Sequence, residues 1–374
     1  MSAELTYLSF DALGEAVGAS QVGAYVERLA ARGVRVHLHS YEKAPPPPEQ
    51  VDRLTAAGVS WTAHEFRGHG TAAGARRVVH AATYLRRADL VHARADLAAA
   101  AATLARSRSW VWDVRSLWAD QRVALGAVRP GSPEDRMLRR FEQAAARRCT
   151  GVIALSTAAL ETLAERHGPG ILDNAAVVPT CVDLGRFAVA PMPSGDSTRL
   201  VFSGTLNRYY DLPTMLAFTA TMNTRRPTRL DVLTPGVTGW DEELQRAGVA
   251  ARAAEPGELS YELQRAHAGL CVCRFDAGPS LRAAVPTKIA ELLATGRPLV
   301  VNRGLGDLDV LFAEHRCGVI LDDASEAALE RAADALEGLL DDPETPARCR
   351  ALAATHFDLD RGIDRLLSVY QRAR

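Results

Sequence analysis

Short runs of β-branched and aromatic residues alternate with longer Ala-, Leu- and Arg-rich amphipathic stretches along nearly the whole chain, and this rhythm leaves few folds open. The pattern predicts strands at 4–10, 34–40, 60–64, 89–93, 109–114, 151–155 and 176–179. Helices are expected between them over 19–32, 71–87, 96–107, 132–148 and 156–167. Strands that return to one sheet through a helix run parallel, with both faces of the sheet covered. A Pro-, Ser- and Gly-bearing stretch near 184–197 interrupts the rhythm, and a second alternation follows. Its strands are expected at 199–204, 229–234, 269–274, 298–302 and 317–321, with helices near 212–224, 258–267, 286–295 and 306–314. The tail reads as helix over 326–340 and 345–372, broken at Pro343 and around His356 to Asp358. At 374 residues the chain is too long for one ordinary core. The fold class is therefore α/β, with two doubly wound domains over 1–184 and 198–355, and a terminal segment, 356–374, packing back towards the first. In such a pair the ligand is expected in a cleft facing the carboxyl ends of the strands.

Charge and composition remove several function classes. Lys and Arg number 44 against 45 Asp and Glu, so no global basic field argues for nucleic acid. The start runs into a strand-like Leu5-Thr6-Tyr7-Leu8-Ser9-Phe10 without the pattern of a leader, and no 18 apolar residues run unbroken. These features predict a soluble, cytoplasmic protein, at most peripheral to a membrane. The six cysteines are scattered and are expected to be reduced and structural. Cys271-Val272-Cys273 is read as strand, with its two thiols on opposite faces. Pro45 to Pro48 is read as a stiff connector.

The loops after the strands carry the candidate chemistry. Asp11 to Gln21 joins the first strand to a helix and holds Gly14 and Gly18, but its spacing is neither G-x-G-x-x-G nor a Walker pattern. It remains a glycine-bearing loop whose backbone N–H groups could hold a phosphate. In the second domain Ser203-Gly204-Thr205-Leu206-Asn207-Arg208 ends a strand and places Arg208 at the carboxyl edge of its sheet. The run Pro286-Thr287-Lys288-Ile289-Ala290-Glu291, with Gly296 as a stop, reads as a helix opening at Pro286. Lys288 then lies beside the positive end of the helix dipole, where a cation is unfavourable unless an anion joins it. Lys288 and Arg208 together suggest a diphosphate seat, and Glu291 one turn on could accept from the hydroxyls of a ribose. A plain surface Lys–Glu pair is the alternative.

These motifs resemble a family. Pro286 to Pro298 is similar to the donor-site signature of GT-B glycosyltransferases of family 4. Val177 to Phe187 is similar to the segment that closes their N-terminal domain, and Phe202-Ser203-Gly204 to the strand that opens the C-terminal one. Leu13-Gly14 with Ser20-Gln21-Val22, and Asp113 to Asp120, resemble blocks of a bacterial subgroup. The resemblance implies a retaining enzyme that moves a sugar from a UDP- or GDP-linked donor to an acceptor hydroxyl; no cofactor is expected, and no metal, since the D-x-D pattern Asp307-Leu308-Asp309 reads as a helix cap. It implies that Glu291 binds the donor ribose and that Arg208 and Lys288 neutralise the diphosphate. Gly18, Ala19, Gly204, Thr205 and Thr287 would line the same donor site. One position departs from the family: the first acid of its E-x7-E motif is Ala283 here.

His92 and Arg94 end one strand of the first domain, and Asp113 and Arg115 end the next. His92, Asp113 and Arg115 are accordingly candidates for acceptor recognition or catalysis, alongside Arg208 and Lys288. A structural ion pair is the other reading of Asp113 and Arg115. The acceptor class stays open between a lipid-linked glycan, a polysaccharide precursor and a small molecule. Asp307-Leu308-Asp309 fits a D-x-D metal pattern but falls at a helix start, where an Asp cap is expected. Arg76, Arg77, Arg86 and Arg87 on one helix suggest either a weak contact with anionic lipid or a solvated face. The alternatives to a transferase are a nucleotide-sugar epimerase and a binding protein that kept the fold.

Overall fold

The computed structural model describes residues 4–254 and 257–374. The chain divides into two compact units. One holds the chain up to Ala119, Val128–Pro179 and Leu359–Arg374; the other holds Asp120–Ala127 and Thr180–Asp358.

The first unit is built on a parallel sheet of β1 (Leu5–Leu8), β2 (Val36–Glu42), β3 (Ser60–Glu65), β4 (Leu90–Arg94), β5 (Trp110–Val114), β6 (Gly151–Ala154) and β7 (Ala175–Val177). Their order is β3-β2-β1-β4-β5-β6-β7, so the chain moves out to one edge and then returns to build the other. β4 and β5 are buried at every residue, as a sheet covered on both faces requires. Trp110 and Trp112 are among the largest side chains in this core. Burying each such side chain is worth roughly 1.5–3 kcal/mol. The second unit carries β8 (Thr198–Ser203), β9 (Thr228–Leu233), β10 (Ala251–Arg252), β11 (Ala268–Cys271), β12 (Leu299–Asn302) and β13 (Gly318–Leu321). These pair in the order β10-β9-β8-β11-β12-β13 around a core that includes Phe202, Met215, Phe218 and Leu270. The edge strand β10 has only two residues, which is too short to leave a sequence signal.

The division falls at Pro179–Thr180, a few residues before the Pro/Ser/Gly stretch. The reason is hydrogen bonding. The Thr180 hydroxyl donates to Val285 O, Val182 bridges to Asp358, and Arg350 donates to Leu184 O and Phe187 O. The residues read as linker are thus fastened to the second unit. Helix Leu359–Arg372 belongs to the first unit. It buries Ile363, Leu366, Val369 and Tyr370 along one stripe, and its Asp360 and Asp364 pair with Arg32. No helix among the described residues is long and apolar enough to cross a membrane.

Several local expectations change. Gly18 is buried in a helix that runs from Ala16 through a π turn, Ala19–Gly23, into Ala24–Ala31. A Cβ there would sit 1.9 Å from Ala12 O, so the glycine lets the preceding loop cross the helix. In that loop the N–H groups of Leu13 and Gly14 donate to the Glu42 carboxylate, so the acid already holds donors that sequence left for a phosphate. Arg77 turns inward: its guanidinium lies 3.8 Å over the Phe66 ring and donates to Arg67 O and Gly68 O. It is therefore no part of a lipid-facing stripe. β11 ends at Cys271, and Cys273 lies two residues on in an isolated bridge to Tyr210; residues two apart in extended backbone share a side, so the two thiols do not point to opposite faces. All six cysteines are free. Asp307 makes no side-chain cap to its helix, whereas the Asp309 carboxylate accepts from Gly304 N at 3.2 Å.

Four histidines cluster where β2 and β3 meet helix Gly70–Leu85. His39 Nδ1 lies 3.0 Å from His64 Nε2, and the His39 ring stacks on His37 and Tyr84 at 4.2 Å each. His80 bonds the Tyr41 hydroxyl, His37 faces Thr62 and Glu4, and Arg77 lies nearby. Burial, with His37, His64 and His80 adding repulsion, pushes His39 down to about 3; burial also lowers His64. The folded chain therefore binds fewer protons than the unfolded chain below the ordinary value of 6.5. Stability is full above that value and is lost as the pH falls. His39 alone should remove about 2 kcal/mol between about pH 7 and pH 5. Urea melts of wild type and His39→Phe at the two pH values check this; equal acid losses would exclude His39 as the cause.

Candidate active site

Two polar clusters stand at the carboxyl ends of strands, one in each unit. In the second unit β8 ends at Ser203, and Gly204 follows with φ +100°, a conformation that favours glycine. A Cβ built there would lie 3.6 Å from both Cε and Nζ of Lys288. Lys288 is the second residue of helix Thr287–Ala294, for which Pro286 is the N-cap rather than the first helical residue. Its side chain is 3% exposed. The ammonium donates to the Tyr210 hydroxyl at 2.8 Å and lies 4.4 Å and 4.3 Å from the centroids of the Phe202 and Tyr210 rings. No carboxylate among the described residues pairs with it. Burial pulls its pKa down while Tyr210 and Cys271 pull it up, and the balance is upward, so it is charged at neutral pH. A buried cation held only by rings and one phenol has donors left for an anion.

Arg208 lies over the Trp240 ring at 3.9 Å and is half exposed, with Glu243 as a loose partner at 3.9 Å. It opens on a pocket of about 290 Å³ lined by Tyr210, Asp211, Trp240, Arg274, Phe275 and Asp276 as well. Arg274 and Asp276 hold each other through two hydrogen bonds of 2.8 and 2.6 Å, which leaves Arg208 the less committed cation of the wall. Glu291 is half-buried one turn after Lys288, and its carboxylate makes no hydrogen bond among the described residues. Burial raises its pKa, against attraction from Lys288 and Arg186. Thr205 is exposed beside Gly204, and Thr287 is half-buried at the helix start. Ala283 is wholly buried, so its methyl packs in the core.

In the first unit Arg94 and Asp113 are partners in the β4–β5 register. Asp113 Oδ2 accepts from His92 Nε2 at 3.2 Å and Arg94 Nη1 at 3.4 Å, and Oδ1 accepts from Arg115 Nη1 at 3.3 Å. Arg94 Nε donates to Asp11 at 2.9 Å. A carboxylate only accepts, so His92 Nε2 carries the proton and Nδ1 accepts from the Tyr370 hydroxyl at 2.8 Å. The ring stacks on Tyr7 at 4.1 Å. Burial would raise the Asp113 pKa, but Arg115, His92 and Arg94 outweigh it and hold the acid ionised far below the ordinary range. Burial lowers the pKa of His92, which stays neutral. Ala95, next after Arg94, takes φ +64°, at a cost of about 1–2 kcal/mol for a residue with a Cβ. The cluster thus presents charge without a ready proton acceptor. Arg115 at 12% and Asp11 at 44% side-chain exposure are its outlets to solvent.

Over residues 19–186 the chain matches the family model of Glycosyltransferase Family 4. No curated protein matches the chain by sequence. Among solved structures, sucrose-phosphate synthase from Thermosynechococcus elongatus is similar with a TM-score of 0.73 at 15% identity, over 99% of this chain and 98% of that one. HepE of Anabaena in complex with UDP-glucose gives 0.65 at 15% identity, over 98% and 99%. WaaG, a glycosyltransferase of lipopolysaccharide biosynthesis, gives 0.68 at 12% identity, over 96% and 98%. At these identities the likeness establishes the fold, the two parallel α/β domains of the GT-B class.

The structure brings His92, Asp113 and Arg115 together in the first unit, and Gly204 and Lys288 together in the second. Arg208 lines the pocket, and Lys288 does not. The first unit gives Gly18 a packing role of its own, and Ala19 follows it as a half-buried residue of the π turn. Sequence reading passed over Tyr210, Tyr370 and Tyr7. Only the neighbouring Arg208 could have drawn notice to Tyr210; Tyr370 lies 278 residues from the His92 it bonds.

Proposed function

We propose that the protein transfers a sugar, with retention, from a UDP- or GDP-linked donor to an acceptor hydroxyl in the cytoplasm, without metal. The observation that carries this reading is Lys288, a charged ammonium buried without a carboxylate beside the Arg208 pocket, at the start of a helix. The bond that breaks leaves a second negative charge on the phosphate that held the sugar, the third on the diphosphate. Lys288, Arg208 and the helix N-terminus stabilise that charge as it develops. Glu291, with both oxygens uncommitted, accepts from the ribose hydroxyls. Gly204, Thr205 and Thr287 supply backbone and hydroxyl contacts around them. UDP and UDP-glucose in the structures of HepE support a nucleotide-sugar donor.

On the first unit, Asp113 and His92 fix the position of Arg115, which reaches solvent to orient the acceptor. Both are deprotonated but their lowered pKa values make them weak bases, so the acceptor's proton goes to the leaving diphosphate. The acceptor is a lipid-linked glycan, a polysaccharide precursor or a small molecule. Ala283 favours one second reading, a binding protein that retained the fold, because an alanine cannot assist departure of the sugar.

The test is a thermal-shift panel of UDP, GDP, dTDP and CDP, with EDTA present, on wild type and Glu291→Ala. A ligand at a hundred times its Kd adds about 2.7 kcal/mol to stability. One diphosphate should raise the melting temperature of wild type and shift the variant far less. No shift with any of the four would remove the donor site. Binding without turnover against mixed acceptors would favour the second reading.

A further inference from the structure

Lys288 does not itself line the 290 Å³ pocket; Tyr210 does. The Tyr210 ring stands edge-on to Phe202 at 4.9 Å, and its backbone is fixed by a bond to Asn207 O and by an antiparallel bridge to Cys273. Its hydroxyl oxygen accepts from the ammonium at 2.8 Å, and its own O–H has no acceptor among the described residues. An oxygen that accepts from a cation becomes a stronger donor through its hydrogen. Burial pushes Tyr210 up to about 12, against the pull of Lys288, so that hydrogen is present at neutral pH.

We propose that Tyr210 is the donor-contacting residue of this site: its hydroxyl bonds a diphosphate oxygen and carries the charge of Lys288 into the pocket that Arg208 also lines. The proposal rests on the nucleotide-sugar reading above. It explains why a lysine shielded from solvent keeps a charge with no carboxylate in direct contact, and why the aromatic wall of the pocket includes a phenol. The phenol keeps its proton throughout, so no covalent step is involved.

Titration calorimetry with UDP and with inorganic pyrophosphate on wild type, Tyr210→Phe, Lys288→Met and the double variant tests it. Tyr210→Phe keeps the ring on Phe202 and Lys288 and removes only the hydroxyl. It should weaken UDP about tenfold or more, the size of one hydrogen bond to a charged group. Lys288→Met should cost at least as much, and the double variant no more than Lys288→Met, because both changes cut one chain of contacts. Wild-type affinity in Tyr210→Phe with a loss in Lys288→Met would overturn the role of Tyr210 and leave the donor site standing. Strictly additive losses would also overturn it, since the two groups would then act separately. Wild-type affinity in both variants, or no binding of either probe to wild type, would overturn the donor reading itself. Equal melting temperatures for wild type and Tyr210→Phe separate the lost contact from damage to the fold.

Discussion

Lys288→Ala should lower the rate of sugar transfer about 100- to 1,000-fold while the protein stays folded. The size follows from the cost of removing one donor aimed at developing charge, about 2.7–4 kcal/mol. Stability should change little, because the lost side chain is a charge buried beside two aromatic rings with no carboxylate to pair it. Removing such a charge relieves desolvation as much as it forfeits packing. Arg208→Ala should act in the same direction and less strongly. Its guanidinium is half exposed, so solvent screens it, and its loss should show mainly as a raised KM for the donor. Steady-state kinetics on the two variants, with melting temperatures alongside, measure both effects. Sugar transfer unchanged in both would remove the phosphate seat.

Asp113→Asn should destabilise the first unit by about 3–5 kcal/mol, the cost of breaking a buried ion pair by neutralising one partner. Asparagine keeps the shape, but Arg94 and Arg115 lose their shared countercharge, and the amide must present an N–H to one of the three groups that now donate to the acid. Arg94 retains Asp11, which limits the loss. The pH dependence has a definite sign. The folded Asp113 pKa lies below the unfolded one, so its contribution is full above about pH 4 and disappears as the pH falls from there. The gap between wild type and Asp113→Asn should therefore hold from neutral pH down to about pH 4 and narrow only below it. Urea denaturation at pH 7 and at pH 3.5 reads the difference. Wild-type stability in the variant at pH 7 would mean that the cluster is a solvated charge group and not a structural support for Arg115.

Much of the fold was legible because its signals are local. The fully buried runs at β4 and β5 announce a covered parallel sheet, and Pro286 with Gly296 brackets the Lys288 helix to within one residue. The Pro/Ser/Gly stretch marked a domain boundary, but the contacts of Thr180, Val182 and Arg350 set its position, and sequence composition carries no record of those partners. The error over Cys271 and Cys273 came from the period of a strand, in which residues two apart share a side.

The sequence by itself determined two α/β units and placed His92, Asp113, Arg208 and Lys288 at strand ends or helix starts, because hydrophobic periodicity and turn residues act over a few positions. Only the tertiary structure decided what those side chains do. Tyr210 meets Lys288 across 78 residues and Tyr370 meets His92 across 278, whereas Glu42 takes the loop amides that a phosphate would have used. Such pairings depend on which segments the sheets bring side by side, and burial then decides whether a charge is screened by water or left for a ligand.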